Sequence, residues 1–130
     1  MKILLDTHIF IWWDRDPSLL SATAKAFCDD PENTLVLSIA SVWEMQIKSQ
    51  IGKMELRLPL RELIQSQQEI NGIELLPVSL EHVLALQYLP IHHKDPFDRL
   101  LIAQARSENL TMITADRRIA AYDVPVIDAG

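Results

Sequence analysis

The chain has 130 residues, with 12 Lys and Arg against 18 Asp and Glu, which gives a formal net charge of −6 and a sequence pI near 5.1. That balance excludes a general phosphate-neutralising surface, though not a nucleic acid held by a few local cations and a metal; 48% hydrophobic and 23% charged residues exclude disorder. The longest apolar run, Ile9–Trp13, is far shorter than the ~20 residues of a membrane span, Asp6 breaks the apolar start too early for a signal peptide, and a lone cysteine, Cys28, forms no internal disulfide, so a single cytoplasmic domain over residues 1–130 is expected.

Taken along the chain, short β-rich runs alternate with helical patterns. Strands are predicted at Lys2–Leu5, Thr34–Leu37, Ile73–Leu76, Thr111–Ile113 and Val124–Ile127. Helices are predicted at Thr7–Asp14, Ser21–Asp29, Ser41–Ile51, Leu60–Asn71, Ser79–Leu89, Pro96–Glu108 and Arg117–Tyr122. Gly52, Gly72 and Asn109 fall where C-terminal caps belong. Pro96 suits the first position of a helix capped by Asp95. Ser41-Val42-Trp43-Glu44 has the spacing of a capping box, and Trp43, Ile47 and Ile51 recur along one helical face. Strand–helix alternation predicts a parallel sheet covered by helices on both faces, with its functional crevice beyond the carboxyl ends of the strands.

Four acids fall at that edge. Asp6 ends the first strand, Glu44 lies in the first turn of the helix after the second, Asp98 lies in the first turn of the helix leading into the fourth, and Asp116 follows the fourth. A bare cluster of carboxylates repels itself, and buried charges are paired or coordinate a metal. Oxygen ligands of this kind select Mg²⁺ or Mn²⁺, which can activate water and stabilise charge on a phosphodiester. Each acid also has a purely local reading. Glu44 can close a capping box or pair with Lys48, Asp98 and Asp116 can serve helix N-termini, and Asp6 can make an Asx-turn.

The segments Leu4-Leu5-Asp6-Thr7-His8, Ser41-Val42-Trp43-Glu44, Asp95-Pro96-Phe97-Asp98-Arg99-Leu100-Leu101-Ile102-Ala103 and Thr114-Ala115-Asp116 occur in this order along essentially the whole chain. In them the chain resembles the PIN-domain ribonucleases, specifically the VapC-type toxins of bacterial toxin–antitoxin pairs. The resemblance implies an α/β fold, a three-layer α/β/α sandwich on a mainly parallel five-stranded sheet. It implies an Mg²⁺-dependent endoribonuclease, with Mn²⁺ as the other ion. Asp6, Glu44, Asp98 and Asp116 would form the acidic site, with Asp6 and Asp98 as direct ligands and Asp116 binding through water or a second ion. Glu44 would orient or activate the attacking water. Thr7 and Thr114 would add hydroxyls. The implied partners are RNA, an antitoxin whose C-terminal segment covers the site, and a second copy of the chain; the Ile9–Trp13 and Met45–Met54 stretches suit such interfaces, while core packing explains many of the same residues.

Around this set, Lys48, Arg99 and Arg117 are read as substrate contacts, and Arg118 as either a backbone contact or a solvated surface charge. Asp95 is a helix cap or an additional metal neighbour. His92-His93-Lys94 is a phosphate- or base-binding stretch or a solvated loop, and lacks the spacing of a zinc site. Trp12, Trp13 and Trp43 are assigned to core or interface, and Cys28 to ordinary helix packing. Two other classes compete: a receiver-type phospho-acceptor domain, and a catalytically silent module on the same fold. The first wants an acid beside Asp6 and a lysine after the fifth strand. The chain has Thr7 beside Asp6, and no lysine after Lys94. A haloacid-dehalogenase-type phosphatase also fails, because Asp6-Thr7-His8 lacks its second Asp.

Overall fold

A computed structural model describes all 130 residues. Five strands, β1 (Lys2–Leu5), β2 (Thr34–Ser38), β3 (Glu74–Leu76), β4 (Thr111–Thr114) and β5 (Val126–Asp128), form one sheet in the order β3-β2-β1-β4-β5. Every pairing is parallel, so the sheet is wholly and not mainly so. Ile3, Leu4 and Leu5 of the central strand are fully buried. This is why β1 reads as a continuous apolar run: a central parallel strand is covered on both faces.

Successive side chains of β1 point to opposite faces. Ile3 and Leu5 join Ile9, Phe10, Met45 and Leu63 on one side, and Leu4 joins Leu101, Ile102, Met112 and Ile119 on the other. The first core is roofed by α1 (Thr7–Arg15), α2 (Ala22–Asp29) and α4 (Leu60–Asn71). The second is covered by α6 (Pro96–Glu108), with α5 (Leu80–Ala85) and the short α7 (Arg117–Ala120) beside it. The result is the expected three-layer sandwich.

Helix α3 (Ile39–Gln50) departs from expectation in two ways. It begins at Ile39, with Ser38 as its N-cap accepting from the Ala40 amide at 3.0 Å. Ser41 is therefore inside the helix and no capping box exists there; its hydroxyl accepts instead from Thr7 Oγ1 at 2.8 Å. The helix also buries the face carrying Ala40, Ser41, Glu44 and Met45, and leaves Trp43 and Ile51 each 60% exposed. Its regular apolar stripe points outward.

Other boundaries shift modestly. The predicted Ser79–Leu89 helix stops at Ala85 and tightens into a 3-10 turn at Leu86–Tyr88, and the fifth strand is displaced to Val126–Asp128. Gly72 and Asn109 close their helices with positive φ, 64° and 54°, as capping residues do. The connection after α3 is pinned to the end of α1, where Arg57 forks onto Asp14 and Arg15 donates to the Glu55 carbonyl. No helix is long and apolar enough to cross a membrane.

Candidate active site

The carboxyl ends of β1, β2 and β4 and the N-terminus of α6 open into a cleft of about 390 Å³. All four predicted acids line it: Asp6, Glu44, Asp98 and Asp116, joined by Asp95. They arrive by different routes. Asp6 follows β1 directly as the N-cap of α1, and its amide donates to the Ile113 carbonyl at 3.1 Å, tying it to β4. Glu44 reaches inward from the second turn of α3, and Asp98 lies in the first turn of α6. Asp116 caps α7 by accepting from the Arg118 amide at 2.9 Å.

Asp6 and Glu44 are only 4% and 3% exposed. Thr114 Oγ1 donates to Asp6 Oδ2 at 2.7 Å, and Lys48 donates to Glu44 Oε2 at 2.7 Å. Their other oxygens, Asp6 Oδ1 and Glu44 Oε1, are buried with no hydrogen-bond partner. Burial pushes the Asp6 carboxyl above its ordinary range, partly offset by the Thr114 hydrogen bond. Asp98 is pushed up to about 8, first by burial and then by the charges of Asp6, Asp95, Glu44 and Asp116. Asp116 goes the other way, to about 2, because Arg118 hydrogen-bonds it from both backbone and guanidinium.

Five carboxylates in the cleft thus face only Lys48 and Arg118 as full cations. Two buried oxygens without donors and a carboxyl lifted by burial and by its neighbours' charge are what a hard divalent cation relieves, so the residues present fit Mg²⁺ or Mn²⁺.

The cationic and hydroxyl residues sort differently from expectation. Lys48 lines the cleft, and its pairing with Glu44 holds its pKa above the ordinary lysine value. Arg118 lines it too, while Arg117 is exposed and lies outside. Arg99 is turned away: it donates to the carbonyls of Leu86, Leu89, Pro90 and His93 and to the Tyr122 hydroxyl, and so supports the loop before α6. Thr7 and Thr114 are buried and spend their hydroxyl protons on Ser41 and Asp6, so they position the site and do not present donors to a substrate. Asp95 is a true cap, with Oδ1 accepting from Phe97 and Asp98 amides at 2.9 and 3.0 Å. Trp13 is core, Trp12 edges the cleft, and Trp43 meets Phe97 edge-on at 5.2 Å. Burial pushes the Cys28 thiol to about 11, consistent with a packing role.

The sequence placed His93 in a phosphate- or base-binding stretch or a solvated loop, whereas the fold buries it against two of the acids. It is 3% exposed, and its Nε2 lies 2.9 Å from Asp98 Oδ2 and 3.0 Å from Asp116 Oδ2. The signal available was its place two residues ahead of the α6 cap, over a helix start that carries an acid. Neither zinc spacing nor charge patterning detects that.

The PIN domain family model matches residues 3–125. The chain belongs to the PIN domain family. It is 27% identical to ribonuclease VapC22 of Mycobacterium tuberculosis over 124 residues, covering 95% of this chain and 93% of that one. Among solved structures, VapBC2 from Rickettsia felis bound to a promoter DNA fragment superposes with a TM-score of 0.72 at 14% identity, covering both chains fully. DNA-bound VapBC from Salmonella typhimurium gives 0.69 at 16% identity over 98% of each chain. VapBC-5 from Mycobacterium tuberculosis gives 0.61 at 20% identity over 98% of each. As a PIN domain the chain is not a receiver module.

Proposed function

We propose that this PIN domain is a metal-dependent endoribonuclease, the VapC-type toxin of a type II toxin–antitoxin pair, acting in the cytoplasm on RNA phosphodiester bonds. The observation that carries the proposal is the cleft itself: acids from β1, α3, α6 and the β4–α7 turn, with Asp6 Oδ1 and Glu44 Oε1 buried and unpartnered. The likeness to ribonuclease VapC22 supports the substrate class, and the likeness to VapBC toxin–antitoxin structures supports an antitoxin partner; assembly with a second copy is part of the same proposal.

Asp6 and Asp98 would hold Mg²⁺ or Mn²⁺, with Asp116 beside them. Bound there, the ion would lower the pKa of water and offset charge on the reacting phosphate. Glu44 takes the proton of the attacking water at Oε1, while Lys48 holds Oε2 and keeps the side chain aimed inward. Arg118 offers a guanidinium to a backbone phosphate at the mouth of the cleft, and Arg117, exposed outside the cleft, would meet only substrate that extends beyond it. Thr114 fixes Asp6.

The test uses purified protein freed of antitoxin and single-stranded or looped RNA. Cleavage with Mg²⁺ or Mn²⁺ that stops with EDTA, and falls by orders of magnitude in Asp6→Asn or Asp98→Asn, is the expected result. Activity surviving EDTA, or full activity in either variant, would overturn the metal mechanism or remove that acid from it.

A further inference from the structure

His93, Asp98 and Asp116 place one nitrogen and two carboxylate oxygens within 4.8 Å of one another, a set that on distance alone reads as a mixed nitrogen–oxygen metal site. The hydrogen bonding around the imidazole says otherwise. The Asp95 backbone N–H donates to His93 Nδ1 at 3.1 Å. A nitrogen that accepts from an amide carries no proton, so the ring proton sits on Nε2. Nε2 is the atom that faces Asp98 and Asp116. A metal-ligating histidine shows the reverse pattern: its free nitrogen coordinates, and the other donates to a carboxylate or carbonyl. Here the remote nitrogen meets a donor, and the near nitrogen is occupied by hydrogen.

The ring is also held from behind. The backbone amides of His92 and His93 both donate to the Tyr122 hydroxyl at 3.0 Å, and Arg99 donates to the His93 carbonyl at 3.3 Å. Tyr122 in turn donates to the Pro90 carbonyl at 2.7 Å. The segment before α6 is thereby locked with the imidazole edge between two acids.

We propose that His93 is a positioning residue of the acidic site: its Nε2–H donates to Asp116 Oδ2, with Asp98 Oδ2 2.9 Å from the same nitrogen, and it is not itself a metal ligand. The assignment rests on the reading of the cleft as a cation site. It leaves the cation an all-oxygen donor set, so the site selects hard ions in spite of a histidine at its centre.

Two measurements test it. Long-range ¹H–¹⁵N correlation of the imidazole rings in metal-free protein, with His93 assigned by its loss in His93→Gln, should show the proton on Nε2, unchanged on adding Mg²⁺. A proton on Nδ1, before or after Mg²⁺, overturns the proposal. Pulsed EPR of Mn²⁺-loaded protein should show no directly coordinated nitrogen; a strong nitrogen coupling lost in His93→Gln overturns it. Mn²⁺ that does not bind at all counts against the cation site, while the metal-free tautomer still decides His93. His93→Gln, which places an amide donor near Nε2, should retain Mn²⁺ affinity, whereas His93→Ala should lose ~10–100-fold with its fold intact by circular dichroism. Equal loss in both variants would make His93 a ligand and reject the positioning role.

Discussion

Thr114 Oγ1 donates to Asp6 Oδ2 at 2.7 Å across 108 residues of sequence, and the same oxygen accepts from the Asp116 amide at 3.0 Å. One buried hydroxyl therefore couples the acid at the end of β1 to the acid after β4. Thr114→Val keeps the shape and removes both bonds. It should cost ~1–3 kcal/mol in urea unfolding, because a buried carboxylate oxygen loses its donor. RNA cleavage should fall with it, while Thr114→Ser should recover most of both. A Val variant with wild-type stability and activity would show that Asp6 needs no such support.

Asp98 should make the metal-free protein lose stability as pH rises. Its carboxyl sits near 8 in the fold against an ordinary 3.8, so between those values the folded chain binds a proton that the unfolded chain has released. The contribution is complete below about pH 4 and is lost as pH rises through about 8. In EDTA at neutral pH, Asp98→Asn should therefore be more stable than wild type by ~1–3 kcal/mol, after discounting for solvent screening. An Asp98 that only served the α6 N-terminus and stayed ionised would instead lose ~0.3–1 kcal/mol on becoming Asn. Millimolar Mg²⁺ should stabilise wild type more than the variant, so the gap shrinks or reverses. Thermal melts across pH, with EDTA and then Mg²⁺, read both effects; a variant less stable in EDTA and indifferent to Mg²⁺ would take Asp98 out of the cluster.

Asp95→Ser separates a cap from a ligand. Ser caps as well as Asp, and Asp95 Oδ1 is already spent on the Phe97 and Asp98 amides. The melting temperature and the Mg²⁺ titration should stay nearly unchanged. The pH at which Asp98 ionises should fall, because one of the charges raising it is gone. A markedly weaker Mg²⁺ response would instead enrol Asp95 among the cation's neighbours.

Arg99 is expected to behave as a structural residue. Its guanidinium bonds the Leu86, Leu89, Pro90 and His93 carbonyls and the Tyr122 hydroxyl, a fan that a lysine ammonium does not match. Arg99→Lys should destabilise by ~1–3 kcal/mol while leaving the salt dependence of RNA binding as it was. A lower salt slope with unchanged stability would return Arg99 to the substrate contacts.

The local signals in the chain were strong enough to read the layer architecture and the addresses of four acids. Ile3–Leu5 and Met112–Ile113 are apolar without alternation, as strands buried on both faces require. Asp95-Pro96 marks a helix start, and Gly72 and Asn109 mark helix ends, through backbone preferences that act within one or two residues. In a parallel sheet those signals are enough to put Asp6, Asp98 and Asp116 on one edge.

Tertiary structure decided what local chemistry leaves degenerate. Ser38 and Ser41 are both able to cap, and Ser38 takes the role because Ser41 is needed under Thr7. Periodicity finds an apolar stripe on α3 without saying which way it faces; here Trp43 and Ile51 face solvent so that Glu44 can enter the cleft. Arg118 and not Arg117 meets Asp116, Arg99 turns to the loop, and His93 lies between two acids. Each choice is set by groups far away in sequence, through hydrogen bonds and charges that fall off within a few ångströms in space, and residue spacing along the chain carries no record of those distances.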